Sequence, residues 1–80
     1  MSWNRTVNIK DLLSAEETPE AIKAAADGII ERLPDAPTKQ LAKARDMADA
    51  DPETALLVFN DGLNRVYDWA DANRVWLGLK

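Results

Sequence analysis

Two proline positions constrain this chain more than any other feature. Thr18-Pro19 and Asp51-Pro52 each set a capping side chain before a proline at the first helical position. There the missing N–H costs nothing and the fixed φ suits the helix. Two helix starts are thereby marked, and Thr38, after Pro37, marks a weaker third.

The first helix is expected from Pro19 to Arg32. Its apolar residues Ile22, Ala25, Ala26, Ile29, Ile30 and Leu33 recur at spacings of three and one, forming one stripe. Glu20 near its start and Arg32 near its end suit the helix dipole. Gly28, costly in mid-helix, points to close approach by a neighbouring element. Pro34 stops the helix, because the residue before a proline is pushed out of the α region.

The second helix, about Lys39 to Ala50, is alanine-rich, with Leu41, Ala44, Met47 and Ala48 as its apolar contacts; it should lie flat on the other two. The third, Pro52 to about Asn73, is the longest and reads as the spine of the fold, buried between two partners. At about 100° per residue, Leu56, Phe59, Leu63, Val66, Tyr67 and Ala70 share one face, which Val58, Gly62 and Trp69 extend on one side. Asp61, Asn64, Arg65, Asp68 and Asp71 lie opposite, Asp61 and Arg65 at the i,i+4 spacing of an ion pair.

Both ends favour strand. Thr6-Val7-Asn8-Ile9 alternates, and Arg74-Val75-Trp76-Leu77 is rich in strand formers. They can pair as a two-stranded ribbon across the helices. The alternative makes Ile9 to Leu13 a helical turn and the C-terminus an extended tail. The expected fold is a single all-α domain over residues 1–80, three helices with this minimal ribbon as an optional addition.

Composition narrows the function. Among 80 residues there is no cysteine and no histidine, so disulfides, thiolate chemistry, ordinary zinc sites and imidazole catalysis are excluded. Ser2 and Ser14 do not sit in a strand–turn–helix elbow, and the adjacent Glu16-Glu17 diverge rather than form a dyad. From Asp49, the fourth, fifth and sixth positions of a calcium loop would be Pro52, Glu53 and Thr54, with Thr54 where the loop needs glycine, so that pattern fails. No cofactor and no metal is expected, and the chain does not read as an enzyme. No apolar run approaches the length of a membrane span, and the N-terminus lacks a secretory pattern, so an intracellular, cytoplasmic domain is expected. Asn4-Arg5-Thr6 matches a glycosylation sequon without that context.

Ten basic against fourteen acidic residues leave a net charge of −4, which opposes attraction to nucleic acid. Lys39, Lys43 and Arg45 are the one local basic cluster, offset by Asp46 and Asp49. What remains is surface for a protein partner. Leu57 lies off the core arc among Asp61, Asn64, Asp68 and Asp71: an apolar anchor ringed by acids that would orient a basic surface. Trp3 and Trp76, in the terminal segments, are further anchor candidates. The plainer alternatives are that Leu57 tucks under the preceding turn, that the acids are a solvated face, and that Trp3 and Trp76 pack with Trp69 to close the core.

Two stretches resemble known sequences. Met1-Ser2-Trp3-Asn4-Arg5-Thr6-Val7-Asn8-Ile9-Lys10 and Tyr67-Asp68-Trp69-Ala70-Asp71-Ala72-Asn73-Arg74-Val75-Trp76 resemble the ends of small phage and prophage accessory proteins of bacteria, over about a quarter of the chain. The resemblance implies a non-catalytic phage protein that binds and inhibits or modulates a bacterial host protein, with anti-CRISPR activity against a defence complex as its sharpest form. It carries over no site residue. The alternative class is a small phage assembly protein that self-associates through the apolar flank of the third helix.

Overall fold

A computed structural model describes residues 5–7, 9, 12 and 17–77, the first two by backbone alone. In chain order they form β1 (Arg5–Thr6), α1 (Pro19–Arg32), α2 (Lys39–Met47), α3 (Pro52–Asn73) and β2 (Val75–Trp76). The architecture is the expected all-α three-helix domain, with the two end segments joined as a two-stranded sheet.

Local chemistry accounts for the helix starts. The Ala21 amide donates to Thr18 Oγ1 at 3.2 Å, and the Thr54 amide donates to Asp51 Oδ1 at 3.2 Å, each beside a proline in the first turn. Thr38 makes no such bond, and α2 has no acidic residue in its first turn. α2 is also shorter than its sequence suggests. Its chain tightens at Met47, where the Ala50 and Asp51 amides both donate to the Met47 carbonyl, and 48–50 become a turn. α3 ends at Arg74, whose backbone is left-handed (φ 56°) and whose amide donates back to Ala70 and Asp71. That reversal of direction launches β2.

The core contains Ile22, Ala25, Ala26, Ile29 and Leu33 of α1 and its exit, Leu41, Ala44 and Ala48 around α2, and Ala55, Phe59, Leu63, Val66 and Ala70 of α3. Among the described residues it includes no polar or charged side chain. Two sequence expectations shift here. Leu56, Tyr67 and Ile30 are only half-buried, and Ala55 takes a central place instead. The helix held between two partners is α2, which packs extensively on both α1 and α3, whereas α1 and α3 meet over a smaller contact. The reason is close approach: small residues on α2 and Gly62 on α3 let the short helix sink between its neighbours. A Cβ on Gly62 would stand 2.8 Å from Leu41 Cδ2 and 3.1 Å from the Leu41 amide nitrogen. At Gly28, where the sequence anticipates a close neighbour, the neighbour is the Leu12 side chain, 2.7 Å from where a Cβ would be.

The ribbon is parallel, with Arg5 opposite Val75 and Thr6 opposite Trp76. Beyond it the Val7 amide donates to the Trp76 carbonyl at 2.6 Å and the Ile9 amide to the Leu77 carbonyl at 3.2 Å. Ile9, Val75 and Leu77 are buried, so the two chain segments together cap one side of the helices. The alternative reading of this region has a partial counterpart, since the Leu12 amide donates to Ile9 in a single turn.

Candidate functional site

On α3 the buried residues Ala55, Phe59, Gly62, Leu63, Val66 and Ala70 occupy one side of the cylinder. Leu57 projects from the opposite side, close to 180° away at the helical step, and is 66% exposed. Asp61, Asn64, Asp68 and Asp71 are exposed on that same side, so the expected face exists as one continuous helical surface. Leu57 does not tuck under the preceding turn. Glu53, one turn before Leu57, is a further exposed acid on this face, and its i−4 spacing from Leu57 made it findable in the sequence.

The acids are not equivalent. Asp61 Oδ2 accepts from Gln40 Nε2 of α2 at 2.9 Å and from Arg65 Nε at 3.0 Å. Those two donors, Gln40 first, hold its carboxyl below the ordinary carboxylate value. Asp61 therefore belongs to the α2–α3 seam, and its charge is largely spent within the domain. By contrast Glu53, Asp68 and Asp71 have no ion-pair partner among the described residues. The part played by Gln40 had no sequence signal, because it lies 21 residues from Asp61.

The tryptophans separate. Trp3 lies outside the described residues. Trp69 is half-buried against the core, as its place on the flank of the apolar arc suggests. Trp76 is 37% exposed, its neighbours Val75 and Leu77 pointing inward in strand alternation. It sits at the far end of α3 from Leu57, so the two do not form one patch.

The basic cluster also divides. Arg45 turns toward α1, donating to Asp27 Oδ1 at 2.9 Å and, more weakly, to Asp46 Oδ1 at 3.4 Å. Lys39 and Lys43 stay exposed on the outer side of α2 without an ion-pair partner among the described residues. They rim two shallow hollows. One, of roughly 400 Å³, is lined by Pro37, Lys39, Gln40 and Arg65. The next, of roughly 620 Å³, is lined by Lys39, Gln40, Ala42, Lys43, Asp46 and Met47. Neither brings a nucleophile to a base. Among the described residues no cluster of carboxylates could hold a metal ion, and no helix is long and apolar enough to cross a membrane. The described residues bring together an acidic helical face with one exposed leucine on α3, and a face on α2 that carries Lys39 and Lys43. No protein-family model, curated protein or solved structure gives a significant match to this chain.

Proposed function

We propose that the protein is a non-catalytic protein-binding module whose α3 outer face docks on a basic surface of a partner protein. The observation that carries this reading is Leu57, an exposed leucine on a helix whose every other leucine is at least half-buried, set between Glu53 and the run Asn64, Asp68 and Asp71. Desolvating the leucine supplies affinity, and the unpaired acids set orientation and association rate. The resemblance of the chain ends to phage and prophage accessory proteins supports a bacterial host protein as that partner, with inhibition or modulation as the outcome and a defence complex as the sharpest case.

Tagged wild type and the double variant Asp68→Lys/Asp71→Lys, compared side by side on bacterial lysate, test the reading. A protein retained by wild type, released by high salt and absent from the variant supports the α3 face. Identical sets of retained proteins on both baits would overturn it. Asp61 is a poor choice for this test, because reversing it also breaks the seam to Gln40 and Arg65.

A further inference from the structure

The acidic face of α3 and the basic face of α2 lie on one chain, and they are complementary in charge. We infer that the protein self-associates head to tail, the α3 face of one molecule docking on the α2 face of the next. The inference uses the same α3 face as the reading above, with a second copy of the chain as its occupant.

Two observations carry it. First, both faces carry apolar surface. Leu57 stands out of α3, 66% exposed, and half-buried Ala42 and Met47 are among the residues lining the larger hollow on α2. Second, the charges correspond in sign. Glu53, Asp68 and Asp71 are unpaired among the described residues on one face, and Lys39 and Lys43 on the other. Asp46, the one acid lining the α2 hollow, is already turned to Arg45. Asp61, the acid nearest Leu57 on its C-terminal side, is satisfied by Gln40 and Arg65.

Each molecule offers both faces, so the contact propagates into chains or closes into a ring, of which a reciprocal two-fold dimer is the smallest. A single helix face against another is at the small end of interface sizes, below about 1,200 Å², so association is weak and dependent on salt.

Sedimentation equilibrium of the purified full chain, from about 10 µM to about 1 mM, reads the prediction directly. At low salt the weight-average mass rises above that of the monomer as concentration increases, and in high salt it returns to the monomer. Asp68→Lys/Asp71→Lys alone and Lys39→Glu/Lys43→Glu alone each remain monomeric. An equimolar mixture of the two associates again, because both the original and the swapped contact are then complementary. That recovery also shows that neither variant failed to fold.

A wild type that stays monomeric at 1 mM and low salt would overturn the inference. So would association insensitive to the α2 reversal, or a mixture that stays monomeric. The Lys39→Glu/Lys43→Glu variant separates this contact from the partner-binding reading. It loses self-association while keeping an intact α3 face for capture of a basic partner, so either property can fail without the other.

Discussion

Gly62 of α3 lies against Leu41 of α2 so closely that an added methyl group would come within 3.1 Å of the Leu41 backbone nitrogen. Backbone cannot move aside as a side-chain terminus can, so this contact sets the separation of the two helices. Gly62→Ala should therefore destabilise the domain by about 1–3 kcal/mol, despite a gain of about 1 kcal/mol in helix propensity. The atoms nearest an added methyl at Gly28 all belong to the Leu12 side chain, which can rotate, so Gly28→Ala should be close to neutral. Chemical denaturation of the two variants checks the contrast. Equal effects would mean that the α2–α3 separation is not set at residue 62.

Leucines on the two sides of α3 should behave oppositely. Leu63 is 5% exposed in the core, and Leu63→Ala should cost about 2–4 kcal/mol. Leu57→Ala, on the outer side, should change stability by less than about 0.5 kcal/mol. Their melting temperatures test the rotation of the helix about its axis, since any error in that rotation would bring the two costs together.

Acid should weaken the domain through two identified carboxyls. The Thr54 hydroxyl and amide hold Asp51 below the ordinary carboxylate value, and Gln40 and Arg65 do the same for Asp61. Folding thus lowers proton affinity at both, and the unfolded chain takes up protons first as pH falls. Their contribution to stability is complete above the unfolded value near 3.8 and declines as pH drops through the folded ones. Asp51→Asn/Asp61→Asn, which keeps a capping side chain at 51, should melt lower than wild type at neutral pH, with the difference closing below about pH 4. A difference that stays constant across that range would show that neither carboxylate matters as a charge.

The chain ends should protect each other. The Val7 and Ile9 amides donate to the Trp76 and Leu77 carbonyls, so deletion of residues 75–80 should expose both amides to hydrogen exchange. Retained protection at Val7 and Ile9 after truncation would mean that the parallel pairing does not hold them.

Where the determining chemistry is local, it was legible in the sequence. Thr18-Pro19 and Asp51-Pro52 locate two helix starts because cap and proline act within one turn. The step of 100° per residue alone places Leu57 opposite Phe59 and Leu63. The strand-forming residues at both ends identify the segments that pair. Contacts between elements distant in sequence were decided only by the tertiary structure. The direction of the ribbon is one, since composition gives segments a tendency to pair but no orientation. Another is the sinking of α2 between its neighbours, which depends on where Leu41 meets Gly62. The seam from Gln40 to Asp61 is a third, and it removes from the acidic face a charge that residue type alone would assign to it. Local rules fix how each segment folds and which way its side chains turn; which polar groups are left for a partner depends on which distant groups packing has already brought together.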